Sequence, residues 1–123
     1  AVDWLKYGNQ MSRIVLPEFA LEAYNQSIKI KPDFYPAWYA RGLLMLRIKG
    51  DNQEAFKSFD KVTNIEPTFY PGWRGRGSAL SKLKQYKEAL ASYDKAIQLN
   101  PNDVGLQEVK DAVLREMQRN ENQ

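Results

Sequence analysis

A pattern of about 34 residues occurs three times in this sequence and limits the folds that the chain can adopt. Its tryptophans, Trp4, Trp38 and Trp73, lie 34 and 35 residues apart. Each tryptophan is followed at nearly constant distances by a glycine, an alanine, an aromatic residue and a proline. These residues are Gly8, Ala20, Tyr24 and Pro32, then Gly42, Ala55, Phe59 and Pro67, then Gly77, Ala89, Tyr93 and Pro101. Such periodic self-similarity is typical of stacked-repeat architectures rather than of one globular core.

The spacing inside each copy predicts two antiparallel helices. In the first copy, Trp4, Gly8 and Met11 recur at the interval of one helical face. Pro17 disfavours helical geometry just before it and suits the first turn of a new helix. We therefore expect the first helix to end near Val15 or Leu16. The inner stripes of the second helices are predicted to be Ala20, Tyr24, Ser27 and Ile30, then Ala55, Phe59, Val62 and Ile65, then Ala89, Tyr93, Ala96 and Leu99.

The second copy contains one extra residue. Trp38 and Ala55 are 17 residues apart, whereas the equivalent pairs in the other copies are 16 apart. We expect the insertion in or near the turn at residues 50–52, because extra length in a connection costs little. Asp51 followed three residues later by Glu54 predicts an N-cap for the second helix of this copy.

The residues after the third copy predict one more helix, over residues 104–119. Leu106, Val109, Val113 and Met117 form a narrow apolar stripe, and charged residues cover the other faces. A terminal repeat must hide its open apolar face, and a helix with one polar side can do so. We therefore interpret this segment as a cap.

The pattern of tryptophan, glycine, alanine, aromatic residue and proline resembles the tetratricopeptide repeat family. The resemblance covers about residues 1 to 103. Two positions depart from the family's signature. The leucine that usually precedes the glycine is Tyr7, Arg41 or Arg76, and the tyrosine three residues after the glycine is Met11, Met45 or Leu80.

The resemblance implies an all-α helical solenoid that winds as a right-handed superhelix. It would form a single domain over residues 1–123, with three helix-turn-helix repeats at 1–34, 35–69 and 70–103 and a C-terminal capping helix at 104–119. Proteins of this family are mostly non-enzymatic scaffolds that hold a peptide or partner domain in a concave groove. The first helix of each repeat lines that groove.

Composition argues against several classes of protein. The chain has neither cysteine nor histidine, which removes disulfides, thiol chemistry and the usual general base and metal ligand. We expect no enzyme, no catalytic residues, no metal and no cofactor. No apolar run suits a membrane span and no targeting segment is visible, so we expect a cytoplasmic protein without membrane insertion. The net charge of +3 gives only weak support to nucleic-acid binding, which we do not expect.

The groove residues follow from the helical phase of the first helices. At about 100° per residue, one set of positions lies roughly 80° to 180° from the packed face. The predicted partner-binding residues are Leu5, Asn9, Arg13, Tyr39, Leu43, Leu46, Arg47, Arg74, Ser78 and Lys82. Arg13, Arg47 and Lys82 are equivalent, so they should align as a basic line. Beside it the second copy offers an apolar patch of Tyr39, Leu43 and Leu46. The alternative is that these cations only complement helix dipoles, because each lies near a helix end.

One subset of the family grips the C-terminal carboxylates of chaperones with five polar residues. The resemblance places Leu5, Asn9, Ala40, Pro71 and Gly75 at those positions. Only Asn9 matches, so we predict that this chain is not a carboxylate-clamp co-chaperone.

The expected function is a protein–protein interaction scaffold whose partner is a protein or peptide with acidic and apolar residues. Two alternatives stay open: a self-assembly module whose groove binds a second copy of itself, and a regulatory domain of a larger protein. The chain begins without methionine three residues before the first repeat tryptophan, so we expect a processed chain or a piece of a longer protein.

Overall fold

The computed structural model describes residues 1–13 and 16–121, and of residues 12 and 13 only the backbone. Within these residues every regular element is helical. The helices are α1 (Val2–Arg13), α2 (Pro17–Ile30), α3 (Tyr35–Leu44) with a π-helical continuation (Met45–Lys49), α4 (Asn52–Ile65), α5 (Tyr70–Lys82), α6 (Tyr86–Leu99) and α7 (Val104–Glu121). Of the two predicted ends of the first helix, Val15 lies outside the described residues, and Leu16 is the N-cap of α2.

The helices stack in chain order. α1 packs on α2, α3 on α4 and α5 on α6, while α2 contacts α3 and α4 contacts α5. The first helices also touch one another, α1 with α3 and α3 with α5, and form one face of the stack. The prediction of an all-α helical solenoid is confirmed.

Phe59 shows how the core joins neighbouring repeats. Its side chain is fully buried between two glycines, Gly42 from its own repeat and Gly75 from the next. A Cβ atom at Gly42 would lie 2.7 Å from the Phe59 ring, and one at Gly75 would lie 2.4 Å from it. The missing side chains therefore create the space that the ring fills, and this close packing offsets the low helix propensity of glycine.

The extra residue of the second repeat lies in a π-helical segment, Met45–Lys49, at the end of α3. Gly50 follows it in the left-handed conformation, and the Asp51 N–H donates to the Met45 carbonyl at 2.8 Å. The left-handed residue of the third repeat, Lys84, stands 11 residues after its tryptophan, whereas Gly50 stands 12 residues after Trp38. The insertion therefore precedes the turn and is absorbed as a π-bulge within the helix. The Asp51 cap of α4 is confirmed, because the Glu54 N–H donates to its carboxylate at 3.2 Å.

Two arginines at the family's leucine position tie successive repeats together. Arg41 donates to the Asn25 amide oxygen at 3.1 Å and to the buried Ser58 hydroxyl at 2.6 Å. In the next repeat, Arg76 is bonded in the same way, to Asp60 at 3.0 Å and to the buried Ser92 hydroxyl at 2.7 Å. Each arginine thus links the second helix of the preceding repeat to that of its own repeat. Lys110 of α7 occupies the equivalent place and pairs with Asp94 at 2.6 Å.

The tryptophans differ in their surroundings. Trp38 and Trp73 are half-buried, and their indole N–H groups donate to the carbonyls of Pro32 and Pro67 in the preceding repeat at 2.8 Å. Trp4, predicted on the packed face, is 40% exposed, because α1 has no repeat before it in the described stack. Ile30 also departs from its predicted stripe, because it is the last residue of α2 and extends past the packed region with 58% of its surface exposed.

α7 lies against α6 at the C-terminal end of the stack. Its Leu106 and Val113 are buried in one cluster with Leu80, Tyr93 and Ala96, and Val109 packs at the edge. The predicted apolar stripe therefore faces the third repeat. Asp103 begins the helix, with its carboxylate accepting from the Gly105 N–H at 3.1 Å.

Candidate functional site

Two adjoining clefts run along the face formed by the first helices. The first, the apolar cleft, has a volume of about 810 Å³ and lies between α1, α3 and the start of α5. Apolar and aromatic side chains form most of its wall. It is lined by Leu5, Asn9, Tyr24, Tyr35, Pro36, Tyr39, Ala40, Leu43, Leu44, Arg47, Ile48 and Phe69.

Aromatic contacts shape the apolar cleft. Phe69, just before α5, lies with its ring centre 5.0 Å from that of Tyr35 and 5.2 Å from that of Tyr39. Tyr39 also meets the core residue Phe59 at 5.9 Å. Edge-to-face rings at these separations stabilise one another by about 0.5–1.5 kcal/mol beyond the area they bury. At the far end Asn9 accepts a hydrogen bond from the Tyr24 hydroxyl at 2.6 Å, which fixes the amide in place.

The second cleft, the basic cleft, has a volume of about 370 Å³ and lies between α3, α5, α6 and α7. It shares Tyr39, Leu43 and Arg47 with the apolar cleft, so the two form one continuous surface. Three cations and several hydroxyl groups line it. Its residues are Tyr39, Leu43, Leu46, Arg47, Tyr70, Pro71, Arg74, Gly75, Ser78, Lys82, Tyr93 and Val109.

Charge is distributed unequally between the two helices of each repeat. Residues 35–49 and 70–82, which form the first helices of the second and third repeats, carry six cations and no acid. Three of the cations pair with acids of second helices: Arg41 with Glu54, Arg76 with Asp60 and Lys49 with Glu18. The other three are Arg47, Arg74 and Lys82, which make no ion pair within the described part of the chain. These three line the basic cleft.

The positive charge of this cleft acts on the pKa values of two tyrosines. Burial raises the pKa of the Tyr39 phenol above its ordinary value, and the positive charges of Arg47 and Arg74 act in the opposite direction. Burial likewise raises the pKa of Tyr93, opposed by the Ser78 hydroxyl and by Arg74. Both phenols are therefore neutral at physiological pH and can donate hydrogen bonds.

Nine of the ten predicted groove residues line the two clefts. Leu5 and Asn9 lie in the apolar cleft, and the side chain of Arg13 lies outside the described part of the structure. Leu46 is largely buried against the core and contributes only to the floor of the basic cleft. The residues in the basic cleft alone are Leu46, Arg74, Ser78 and Lys82, and those in both clefts are Tyr39, Leu43 and Arg47.

Helical phase within one repeat could not identify every residue of the clefts. Phe69 and Tyr70 enter from the start of α5, Ile48 from the π-helical segment, and Tyr93 and Val109 from α6 and α7. The dipeptide Phe34-Tyr35 recurs as Phe69-Tyr70. This recurrence was the sequence signal that could have predicted the aromatic residues of the apolar cleft.

Four of the five carboxylate-clamp positions lie on this surface without the clamp's polar side chains, and Asn9 is the one that matches. Leu5 and Ala40 line the apolar cleft, and Pro71 and Gly75 line the basic cleft. Gly75 cannot be replaced by a longer residue without moving Phe59, because even a Cβ atom there would lie 2.4 Å from the ring. The cations of the basic cleft therefore stand at positions different from those of the clamp.

A third cleft, of about 400 Å³, lies on the side of the second helices. Trp38, Ile28 and Phe56 are among its apolar residues, and its rim carries both signs of charge. Arg41 and Glu54 there are paired with each other. This outer cleft therefore lacks the unbalanced charge of the basic cleft.

Arg76 lies beside two aromatic rings and is engaged in packing. The Arg76 guanidinium lies 5.2 Å from the Phe56 ring and 5.9 Å from the Trp73 ring, while its nitrogens donate to Asp60 and Ser92. A base-stacking platform would need the arginine and the rings to face solvent together.

Membrane-spanning helices and clustered metal ligands are absent from the described residues. None of the helices in residues 1–13 and 16–121 combines the length and the hydropathy that crossing a membrane requires. In the same part of the chain, acidic residues form no group of three or more that could hold a metal ion.

Comparisons with solved structures show the same fold. The first tetratricopeptide domain of human RPAP3 superimposes with a TM-score of 0.91 at 17% identity, over 98% of this chain and 94% of that one. The first such domain of Spaghetti (RPAP3), bound to the HSP90 peptide SRMEEVD, gives 0.89 at 16% identity, over 94% and 91%. The domain of Sgt2 from Aspergillus fumigatus gives 0.89 at 19% identity, over 98% and 81%.

Comparisons of sequence point to one family. A search of curated protein sequences finds no significant match. Family profiles described as "Tetratricopeptide repeat" match residues 35–69 and residues 70–103, which together make up more than half of the chain. With the recurring motif and the helical stack, these matches show that the chain belongs to the tetratricopeptide repeat family.

Proposed function

We propose that the chain is a non-catalytic protein–protein interaction module that holds a segment of its partner along the first-helix surface. The observation that carries the proposal is the continuity of the apolar and basic clefts through Tyr39, Leu43 and Arg47. Apolar clefts with a few placed polar groups are the usual sites for peptide side chains. The unpaired cations add a requirement for acidic residues in the partner.

The structural relatives support a peptide as the ligand. RPAP3 domains were solved with an HSP90 peptide, SRMEEVD, and with an HSP70 peptide, SGPTIEEVD, both rich in acidic residues near one end. A similar stack here would also bind an acidic segment. The grip would differ, because Leu5, Ala40, Pro71 and Gly75 replace polar residues of the carboxylate clamp.

A second candidate function is self-association. Trp4, Tyr7 and Phe19 are 40%, 43% and 57% exposed, and Trp4 and Tyr7 contact each other at 6.0 Å between ring centres. These residues lie at the N-terminal end of the described stack. Exposed apolar clusters of this kind mark association surfaces, so a second copy is an alternative partner.

Affinity capture from an extract of the source organism, read by mass spectrometry, tests the proposal. The immobilised wild type is compared with Arg47→Glu in the basic cleft and with Ile48→Asp in the apolar cleft. Both side chains are exposed, so both variants should keep the circular dichroism spectrum and melting temperature of the wild type. We expect each substitution to reduce recovery of the partner about tenfold or more, as for groups at the centre of an interface.

Two matched variants on other surfaces control for charge and for loss of apolar area. Lys95→Glu makes the same charge change as Arg47→Glu on an exposed residue of α6, and Leu114→Asp matches Ile48→Asp on α7. Both should capture the partner as the wild type does. Equal capture by all five proteins would refute the groove, and capture of the chain itself as the sole partner would support self-association instead.

A further inference from the structure

We infer that the basic cleft is a subsite for aspartate or glutamate side chains within an extended partner segment, whose apolar residues lie in the apolar cleft. This inference rests on the proposed function. It adds the order in which the acidic and apolar residues of the partner lie along the stack. Acidic residues of the partner would lie over α5, towards the C-terminal end of the stack. Apolar residues would lie between α1 and α3.

The carrying observation is that the six cations in the first helices of the second and third repeats divide into two groups. Arg41, Arg76 and Lys49 are neutralised by acids of second helices. Arg47, Arg74 and Lys82 are not, and neither the apolar nor the basic cleft is lined by an aspartate or a glutamate. Within these two helices, the cations without an acidic partner are therefore gathered at the basic cleft. An acidic ligand there would meet attraction without any competing carboxylate.

Helix dipoles account for only two of the three cations in this cluster. Lys82 ends α5, and Arg47 lies near the end of the π-helical segment, where a cation is favourable. Arg74 is the fifth of the 13 residues of α5, so it lies closer to the end of the helix where the dipole disfavours a cation. Its position beside Arg47 and Tyr39 thus calls for another explanation, and an anionic ligand provides one.

The spacing of the cations favours a chain of carboxylates over one compact anion. Arg74 and Lys82 are eight residues apart on α5, which corresponds to about 12 Å along the helix axis. An extended peptide covers this distance with about four residues. A single phosphoryl group is much shorter than this distance. Ser78 lies between Arg74 and Lys82 on α5, and the Tyr39 phenol lines the same cleft. Both carry hydroxyl groups that can donate hydrogen bonds to carboxylates.

Binding of a partner in the basic cleft does not require the C-terminal carboxylate of that partner. The clamp positions Pro71 and Gly75, which border the same cleft, offer no cationic side chain. The cations that are present come from Arg47, Arg74 and Lys82, whose long side chains can reach side-chain carboxylates. A segment inside a longer partner chain therefore meets the chemical requirement.

Nuclear magnetic resonance with a defined probe tests the subsite on the full chain. The probe is acetyl-(Glu)4-amide, which has no free terminus and matches the length of the cluster. At low ionic strength we expect saturable shifts of the Arg47 and Arg74 side-chain Nε–Hε signals and of the Ser78 amide. Arg74→Gln should raise the dissociation constant about tenfold, the effect of losing one charged hydrogen bond.

Arg115→Gln is the matched control, because it removes one exposed positive charge from α7. It should leave the dissociation constant within about twofold of the wild-type value, since exposed charges far from a site contribute little. Acetyl-(Gln)4-amide should produce no shifts. Equal binding by wild type and Arg74→Gln, or equal shifts at Arg115 and Arg74, would overturn the inference.

Two further probes separate the inference from its rivals. Tighter binding of acetyl-Gly-phosphoserine-Gly-amide than of the tetraglutamate would replace the extended segment with a single phosphoryl group. Tighter binding of a short oligothymidylate would assign the cleft to nucleic acid. If a partner is captured by the wild type and lost by Ile48→Asp while the tetraglutamate fails to bind, the proposed function stands and the acidic subsite falls.

Discussion

At the scale of single residues, Gly75 connects the stability of the fold with the chemistry of the surface. The residue borders the basic cleft on one side and the ring of Phe59 on the other. The glycine is therefore required for the packing of Phe59 and at the same time keeps a side chain out of the cleft. The positive charge that the surface needs comes from Arg74, the neighbouring residue on the helix.

We predict that Gly75→Ala destabilises the protein by about 1–3 kcal/mol, the usual cost of overpacking a core. Alanine has the better helix propensity by about 1 kcal/mol, so the net loss must come from the contact with Phe59. Chemical denaturation monitored by circular dichroism measures the difference. The double variant Gly75→Ala/Phe59→Leu should be less destabilised than the sum of the two single changes. Unchanged or increased stability of Gly75→Ala would contradict the tight contact.

At the scale of elements, the arginines at the family's leucine position have a structural role. From the sequence, Arg41 and Arg76 are expected to extend along the edge of the packed face. The structure shows that they hydrogen-bond the buried Ser58 and Ser92 hydroxyls. The first repeat has Tyr7 at the arginine position and Ala23 at the serine position. An arginine at the first of these positions thus occurs with a serine at the second, whereas the tyrosine occurs with an alanine.

This pairing predicts the result of a double-mutant cycle on Arg76 and Ser92. Arg76→Leu should cost about 1–3 kcal/mol, because it leaves the buried Ser92 hydroxyl without its partner. Arg76→Leu/Ser92→Ala should lose less than the sum of the two single changes, because no buried polar group is then stranded. Denaturant unfolding of the four proteins gives the coupling energy. Additive losses would show that the hydrogen bond does not couple the two residues.

Local sequence patterns predicted most of the helices but not the π-helical segment that follows α3. The N-cap at Asp51 and the stripe of α7 follow from short-range spacing, and both were confirmed. The 17-residue interval of the second repeat revealed an insertion without showing whether a loop or a helix absorbs it. The π-helical segment that holds it contributes Leu46, Arg47 and Ile48 to the clefts. An irregular helix at a candidate site is a recurrent feature of proteins.

At the scale of the whole molecule, the stack depends on what covers its ends. α7 buries Leu106 and Val113 against the third repeat, and its Lys110 pairs with Asp94 as Arg76 pairs with Asp60. The N-terminal end leaves Trp4 and Phe19 exposed. The two ends of the described stack are therefore unequally covered.

Removal of residues 104–123 should expose the apolar face of the third repeat. We expect a lower melting temperature and concentration-dependent self-association, because terminal repeats need a polar outer face. Sedimentation velocity over a range of protein concentrations measures the association. A truncated chain that stays monomeric and melts like the full chain would contradict the capping role.

Helical phase predicted the first-helix residues of the clefts, whereas contacts between repeats determined the rest. Leu5, Tyr39 and Arg74 could be placed from the sequence, because one period relates all three repeats. Phe69 and Tyr93 could not, since their approach depends on how one repeat sits on the next. That the lined residues bind a partner stays a prediction.

Site-specific photo-crosslinking tests the central claim, that the first-helix surface holds the partner. p-Benzoylphenylalanine is placed either at Ile48, which is 46% exposed in the apolar cleft, or at the exposed Lys95 on the second-helix side. Each protein is irradiated in the extract, and adducts are identified by mass spectrometry. The account predicts one partner crosslinked from position 48 and not from position 95. A partner crosslinked from position 95 alone would contradict it.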